Sequence, residues 1–300
     1  MRRIRGFNSF IKPPVGSVIN WGHPLSRGLQ GCWLFNETNG KAVRDLVTGN
    51  IDTFEANADT RFINSRYGRV LYSDANDGTG LGMRTKKTYK FSTRHSVVLA
   101  FYPNSSTNPY YEGIFGQPPG TGQGGTVVSS VSSENTPSIV YSKVSTIGSA
   151  MRVLFIAAGG GVASGAQSST TVATDVELTV AGTVVTDSAI VDYGGTWKIY
   201  INGRFEATNN YNLADFAGTF SDAKLAFFDG TQWNSSSSMS LRYCYFFDRV
   251  LNPLEISSLY KFPYQFISTV RPHRFSNIIT TPPATTGGIM SPRSTYWGDL

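Results

Sequence analysis

Residues 196–207 read TWKIYINGRFEA, and this stretch decides the fold class. Every second residue from Trp197 to Ile201 is apolar, which is the two-residue period of a half-buried β-strand. Asn202 and Gly203 follow, and an Asn-Gly pair supplies the positive φ angles that both central positions of a type I′ turn require. The stretch therefore predicts a β-hairpin.

Further runs of strand length occur along the chain, bounded by Gly, Asn, Asp and Ser. They are GCWLF (31–35), SVVLAFY (96–102), SIVYSKV (138–144), MRVLFIAA (151–158), VELTVAGTVVT (176–186), AKLAFF (223–228) and SLRYCYFF (240–247). Their β-branched and aromatic content suits a pleated, half-buried surface. Many short strands separated by turn signals predict an all-β fold, and we favour a sandwich over a barrel.

One segment has the pattern of a helix, LNPLEISSLY at 251–260. Asn252 can cap the helix and Pro253 suits its first turn. Leu254, Ile256 and Leu259 would form a short apolar face that covers one end of the sandwich.

The composition excludes several classes of protein. Of the 300 residues, 40% are hydrophobic and 15% charged, so the chain has a real core and is not a disordered polyelectrolyte. The formal charge is +6, and its visible concentrations are near the two ends of the chain, so we expect no specific binding to nucleic acid. The sequence contains no run of 18 apolar residues, so we expect no membrane-spanning helix. The basic start MRRIRGF is not followed by the continuous apolar run of a signal peptide, so we do not expect export by that route. We expect synthesis in the cytoplasm.

Three stretches rich in turn residues predict loops, at 103–113, 117–126 and 228–239. They hold the aromatic residues Tyr110, Tyr111 and Trp233, which could stack on sugars or on a neighbouring subunit. Local packing of the loops is the alternative.

After Pro263 the sequence shows no helical or strand periodicity, so we expect an extended tail at 263–300. With an N-terminal arm at 1–27, this leaves one domain at 28–262.

The stretch GLQGCWLFNETNGKAVRDLVTGN at 28–50 resembles the opening of laminin-G-like, concanavalin-type jelly-roll domains. A second match is WKIYINGRFEA at 197–207, and a third is SLRYCYFFDRVLNPLEISSLYKFPY at 240–264. The matching residues are Gly28, Leu29, Gly31, Trp33, Phe35, Asn36, Glu37, Gly49, Asn50, Arg249, Leu251, Pro253, Glu255, Ile256, Leu259 and Tyr260. The resemblance covers about residues 28–262 and implies a jelly-roll sandwich of two antiparallel sheets.

The flanks of the domain are similar to the version encoded in tailed bacteriophages. This likeness implies a virion structural protein, such as a capsid decoration, head fibre or tail-associated protein, made in the host bacterial cytoplasm. Its partners would be capsid or tail subunits and further copies of itself. Anchors in the terminal arms would supply the binding energy, and the candidates are Phe7, Phe10, Phe266, Arg271, Arg274, Phe275, Tyr296 and Trp297. The alternative for each anchor is packing against its own domain.

The resemblance also implies that the first and last strands of the domain pair, which would bring Cys32 near Cys244 as cross-strand partners. The alternative is two reduced cysteines in the core, as is usual in cytoplasmic proteins.

Catalytic patterns are weak. Glycosidases of this fold carry a carboxylate triplet along one strand, because an acid and a nucleophile must flank one bond. The nearest approach here is Asp175 and Glu177, whose spacing would put both on one face of a strand. We expect a solvated strand face rather than an active site, and no enzymatic activity.

Cofactors are not expected either. The three histidines, His23, His95 and His273, are far apart in the sequence, which argues against a triad or a His-rich metal site. Calcium is common in the wider family, and Asp74, Asn76 and Asp77 are the candidate ligands. A carbohydrate-binding module for bacterial surface glycans is the second hypothesis for this chain, through Tyr110, Tyr111 and Trp233, and a glycoside hydrolase is the third.

Overall fold

The computed structural model describes the chain between residues 11 and 269, with gaps. The described ranges are 11–38, 40–54, 60–74, 83–89, 93–105, 111–116, 137–142, 152–159, 162–173, 175–185, 190–192, 195–209, 211–212, 217–219, 223–227 and 238–269.

These ranges consist mainly of β-strands. In chain order the strands are β1 (Val18–Ile19), β2 (Leu29–Trp33), β3 (Ala42–Arg44), β4 (Ile51–Phe54), β5 (Thr60–Ser65), β6 (Gly68–Asp74), β7 (Met83–Tyr89), β8 (Arg94–Ser105), β9 (Tyr111–Gly116), β10 (Pro137–Ser142), β11 (Arg152–Gly159), β12 (Val162–Gln167), β13 (Leu178–Val185), β14 (Ile190–Asp192), β15 (Thr196–Ile201), β16 (Arg204–Thr208), β17 (Tyr211–Asn212), β18 (Ala217–Thr219), β19 (Ala223–Phe227), β20 (Ser238–Phe247) and β21 (Ile267–Ser268). The helices of the described ranges are a 3₁₀ turn at Pro24–Ser26 and α1 at Pro253–Lys261.

Two large antiparallel sheets form a sandwich, which confirms the predicted all-β, jelly-roll-like fold. Sheet I has eight strands in the order β16-β15-β13-β8-β20-β6-β5, with β2 paired to β20 beside this path. Sheet II has nine strands in the order β17-β12-β11-β10-β9-β19-β7-β4-β3. Two small ribbons, β1-β21 and β14-β18, complete the sheet structure of the described ranges.

Sheet I is covered on both faces where β8 crosses it. Val97, Leu99 and Phe101 point into the main core between the two sheets, while Val98 and Ala100 join a second apolar cluster on the outer face. This double burial explains why β8 reads as the continuous apolar run SVVLAFY instead of a strict alternation.

Helix α1 lies over part of the outer face of sheet I. Asn252 is its N-cap, and the side chain of Glu255 bonds back to the cap in a reciprocal capping box. Ile256 and Leu259 are fully buried in the outer cluster, as predicted. Leu254 was expected on the same apolar face, but it is 82% exposed, because it lies on the solvent side of the helix.

The flanks of the predicted domain are themselves part of the fold. Ile19 pairs with Ile267 in the ribbon β1-β21, and Asn20 N–H donates to the carbonyl of Phe266 at 2.8 Å. The compact unit that contains the described residues ends at Thr269. The folded domain therefore reaches further in both directions than 28–262.

The predicted hairpin at 196–207 is confirmed. Ile201 at the end of β15 pairs with Arg204 at the start of β16. The two residues between them have positive φ angles, 51° at Asn202 and 76° at Gly203, as a type I′ turn requires.

The first and last strands of the domain pair, as the resemblance implied, but the cysteines are not cross-strand partners. Cys32 of β2 lies opposite Tyr245 of β20, and Trp33 lies opposite Cys244. Successive residues of a strand point to opposite faces. Cys32 therefore faces the outer cluster and Cys244 the main core, and both are free and buried.

The glycine and tryptophan of GCWLF have a steric reason to occur together. The indole of Trp33 lies over Gly31, so close that a Cβ at Gly31 would be 2.3 Å from the ring. The indole N–H donates to the carboxylate of Asp52 at 2.9 Å inside the core. Gly31 is thus required by the close approach of Trp33 and not by its backbone angle.

Candidate functional site

Strand β20 changes its partner on one side halfway along its length. Residues 238–241 pair with β6, whereas residues 244–247 pair with β2. Between them the register against β8 shifts by one residue, so Leu241 pairs with Phe101 and Tyr243 pairs with Ala100. The extra residue is Arg242, and this β-bulge turns its side chain onto the outer face of sheet I.

Arg242 is the centre of a buried polar network. Its Nη1 donates to Glu177 Oε1 at 2.7 Å and its Nε donates to the Tyr264 hydroxyl at 2.9 Å. The guanidinium also lies 4.4 Å from the ring centre of Tyr67. The side chains of Arg242 and Glu177 are only 3% and 13% exposed. Burial raises the pKa of Glu177, and the positive charge of Arg242 opposes that shift.

Lys12 fills the backbone gap beside this bulge. Its ammonium donates to the carbonyls of Leu34, at 2.7 Å, Phe35, at 3.3 Å, and Arg69. Leu34 and Phe35 directly follow β2, and Arg69 lies at the start of β6, so the carbonyls come from the two strands that share β20 or from the residues next to them. Burial lowers the pKa of Lys12 well below its ordinary value. The ammonium thus supplies hydrogen bonds to three backbone carbonyls near the place where β20 changes its partner.

A row of polar and aromatic side chains continues across the outer face from this network. Arg61 of β5 pairs with Tyr72 of β6, Tyr72 pairs with Ser240 of β20, and Ser240 pairs with Tyr102 of β8. Arg61 is exposed, and the two tyrosines are partly exposed. Their guanidinium and phenol groups are therefore presented to solvent on one side of the sheet.

The turn between β5 and β6 adds two more residues to this surface. Arg66 is exposed, and its guanidinium lies 4.8 Å from the ring centre of Tyr67 and 5.7 Å from that of Tyr102. The rings of Tyr67 and Tyr102 are 6.2 Å apart. At the edge of the row, Arg61 lies 4.7 Å over the ring of Tyr72. We call Arg61, Arg66, Tyr67, Tyr72 and Tyr102 the arginine-tyrosine face.

The arginine-tyrosine face was not predicted from the sequence, and its members come together through the register of β5, β6, β20 and β8 and through the turn between β5 and β6. A signal was available for part of it, because RFINSRYGRVLYSD at 61–74 carries the Tyr-Gly turn and flanking apolar residues of a hairpin. No local signal connects that hairpin with Tyr102 or Arg242.

The strands that border the predicted sugar-binding loops end side by side. Ser238 at the start of β20 pairs with Asp74 at the end of β6 and with Ser105 at the end of β8. Along the strands, this edge is two residues from Tyr72 on β6 and three residues from Tyr102 on β8. Tyr110 and Trp233 lie outside the described residues, and of Tyr111 the structure describes the backbone alone, at the start of β9. The sugar-binding roles of these three residues stay predictions.

The predicted calcium site cannot be assembled from the described residues. Asn76 and Asp77 lie outside them, and of Asp74 the backbone alone is described. Among the residues that are described, no group of three or more His, Cys, Asp or Glu side chains could hold a metal ion.

The pair Asp175 and Glu177 does not lie on one face of a strand, so this expectation was wrong. Asp175 has a left-handed backbone with a φ of 62°, and β13 begins only at Leu178. Asp175 is exposed, whereas Glu177 is directed inward to Arg242. The two carboxylates therefore do not form a pair along one strand face, which is the arrangement that the sequence spacing predicted.

A second acidic group lines a cleft of about 260 Å³ between the N-terminal segment and the start of sheet II. Glu37 Oε1 accepts a hydrogen bond from Arg44 N–H at 2.8 Å, and Oε2 is buried without a partner. Burial raises the pKa of Glu37. The walls include Pro14, Leu34 and Ile51, so the cleft is largely apolar around one carboxyl group.

Most of the predicted assembly anchors lie outside the described residues, namely Phe7, Phe10, Arg271, Arg274, Phe275, Tyr296 and Trp297. Phe266 is described, and its assignment as an anchor was wrong. Its side chain is fully buried in the outer cluster, 5.1 Å from the ring of Tyr245. Phe266 packs on its own domain and has no surface for a partner. Within the described ranges, no helix is long and apolar enough to cross a membrane.

Comparison with known proteins supports the fold. No protein-family model matches the chain, and no curated protein is significantly similar to it in sequence. Similar solved structures include Trypanosoma rangeli sialidase in complex with sialic acid, with a TM-score of 0.50, 15% identity, and 80% of this chain and 33% of that chain covered. The chain thus spans about a third of the sialidase.

Two further solved domains are also similar. Domain 4 of AbnA, a GH43 extracellular arabinanase from Geobacillus stearothermophilus, in complex with arabinotriose, has a TM-score of 0.52 at 14% identity, with 77% of this chain and 97% of that domain covered. The binding domain of Paraclostridial Mosquitocidal Protein 1 has a TM-score of 0.51 at 10% identity, with 79% and 53% covered. At these identities the comparisons show a shared β-sandwich fold.

Proposed function

We propose that this chain is a non-catalytic carbohydrate-binding β-sandwich, with its binding surface on the arginine-tyrosine face. The observation that carries the proposal is the row of partly exposed tyrosines and exposed arginines at one end of sheet I. Paired strands hold Arg61, Tyr72 and Tyr102 in register, and the β5-β6 turn adds Arg66 and Tyr67. Sugar sites combine aromatic contact with a few well-placed polar groups.

The comparisons agree with this proposal. The arabinanase domain, which the chain matches over nearly the whole length of that domain, was solved with arabinotriose bound. A hydrolytic role has less support, because the carboxylate of Glu177 is held by Arg242 and Asp175 is an exposed residue outside β13. A retaining glycosidase needs two carboxyl groups about 5 Å apart across one bond.

A glycan array with the purified chain tests the proposal. We expect binding to a defined subset of glycans, and affinity about tenfold weaker in Tyr72→Ala and Tyr102→Ala, as loss of an aromatic contact implies. The matched control is Phe205→Ala, since Phe205 is 55% exposed on the opposite edge strand of the same sheet. Unchanged binding in both tyrosine variants would move the site elsewhere, and Trp233→Ala would then test the predicted loop. A chain that binds no glycan would refute the proposal.

The virion role implied by the resemblance stays a separate prediction. Limited proteolysis of the free chain beside intact particles would test it, with cleavage after residue 269 as the readout. Protection confined to particles would support docking of the terminal segments on other virion subunits, and equal cleavage in both samples would contradict it.

A further inference from the structure

We infer that the ligand of the arginine-tyrosine face is an acidic glycan, whose anionic groups bind the guanidinium groups of Arg61 and Arg66. This inference rests on the proposed function and adds the chemical class of the sugar to it.

The tyrosine rings are already occupied on one side by cations. Arg61 lies 4.7 Å over Tyr72, and Arg66 lies 4.8 Å over Tyr67. A neutral sugar that stacked on the same ring faces would have to displace an arginine and lose the cation-π attraction. The side chain of Arg66 also forms a hydrogen bond with Tyr102. Both arginines are exposed, so their guanidinium groups are the charged groups that this face presents to a ligand.

Among the described residues, Arg61 and Arg66 also lack the ion pairs that two arginines elsewhere in the fold make. Arg242 is paired with Glu177, and Arg249 bonds Glu255 with both terminal nitrogens at 2.8 and 2.9 Å. Within the described residues, no salt bridge involves Arg61 or Arg66. Glu177 acts on Arg66 electrostatically, but its bonded oxygen is held by Arg242. The face therefore carries positive charge that the described part of the protein does not neutralise.

Stacking on a tyrosine orients a guanidinium for an anion. The ring restricts the plane of the guanidinium, so that less entropy is lost when its N–H pair meets a carboxylate or a sulfate in a bidentate bond. Tyr72 and Tyr102 are separated by one strand, which places the two arginine sites about 10 Å or more apart. That spacing suits a linear acidic oligomer better than a single sugar.

Binding of three polysaccharide probes would test the inference, with oligogalacturonate carrying carboxylates, dextran sulfate carrying sulfates and neutral dextran carrying neither. The glycan array above, which includes neutral and acidic members, is read alongside them. We expect binding of at least one acidic probe, weakening as salt is raised because the contact is electrostatic. The two acidic probes distinguish carboxylate from sulfate recognition.

The variants isolate the two guanidinium groups. Arg66→Gln and Arg61→Gln should each weaken acidic binding about tenfold to a hundredfold, the effect of losing a charged hydrogen bond. Arg66→Lys keeps the charge but not the planar N–H pair, so it should recover only part of the affinity. Arg204→Gln is the matched control, because Arg204 is exposed on the opposite edge strand of sheet I. Melting temperatures of all variants would show that they fold.

The possible results separate this inference from the proposed function. Binding to neutral array members without binding to any acidic member or probe would overturn the inference and leave carbohydrate binding intact. Binding to nothing at all would overturn both. Acidic binding reduced equally in Arg204→Gln and Arg66→Gln would show a diffuse charge effect and would also overturn the inference.

Discussion

Replacing Arg242 with methionine tests the network at the bulge of β20. The change keeps much of the side-chain volume but removes the charge. Glu177 then stays largely buried, with its side chain 13% exposed, and loses its hydrogen-bonded partner at 2.7 Å. Breaking a buried ion pair from one side costs about 3–5 kcal/mol. The lost bond to Tyr264 is part of the same network, so we expect a total fall of that size in the free energy of unfolding.

Urea denaturation of the wild type, Arg242→Met, Glu177→Gln and the double variant forms a double-mutant cycle. The double variant should be more stable than the sum of the single effects predicts, because it leaves neither charge buried alone. A coupling below about 0.5 kcal/mol would refute the reasoning, since independent sites add within that range.

The pH dependence provides a second check on the same variant. Burial raises the pKa of Glu177 even in the presence of Arg242. Without Arg242 the folded pKa rises further above the unfolded value, so the folded state binds the extra proton and its stability falls as pH rises through that folded pKa. The stability deficit of Arg242→Met should therefore be smaller at acidic pH than at pH 7. A deficit that is constant across pH would contradict a role for the Glu177 charge.

Three further predictions follow from described contacts. Burial raises the folded pKa of Glu37, so the wild type loses stability as pH rises from the ordinary glutamate pKa through the folded one. Glu37→Gln should remove this fall of melting temperature with pH, and a pH dependence equal to that of the wild type would contradict the prediction. Gly203→Ala should cost about 1–2 kcal/mol, because φ is 76° there and the new Cβ would lie 3.0 Å from Tyr260; a loss below 0.5 kcal/mol in urea denaturation would contradict this. Cys32 and Cys244 are buried on opposite faces of sheet I, so both thiols should react with a thiol reagent after unfolding and not before, and a reductant should leave the melting temperature unchanged.

Local sequence signals predicted the elements whose structure is decided locally. The hairpin around Asn202 and Gly203 follows from turn chemistry, and the start of α1 follows from Asn252 and Pro253. The exposed Leu254 shows the limit of that reasoning, because an apolar residue of a short helix faces the core only if the helix is rotated that way.

The candidate site could not be predicted in the same way, because register and bulges depend on partners far along the chain. Nothing within SLRYCYFF marks Arg242 as the residue that the bulge turns outward. The segment FIKPPV around Lys12 gives no sign that the ammonium of this residue bonds three carbonyls. The prediction that Asp175 and Glu177 share a strand face failed for a related reason. A two-residue spacing puts side chains on one face only where the backbone is extended, and β13 begins only at Leu178.

The pairing of the first domain strand with the last one sets an order of events during protein synthesis. Trp33 of β2 lies opposite Cys244 of β20, roughly 210 residues later in the chain, a separation that makes closure slow and late. Residues up to β20 must therefore be synthesised before β2 can pair with it, and until then the bridge from Trp33 to Asp45 is its local contact. Until then the nascent chain carries an uncovered indole, and its protection from aggregation depends on the cell rather than on the fold.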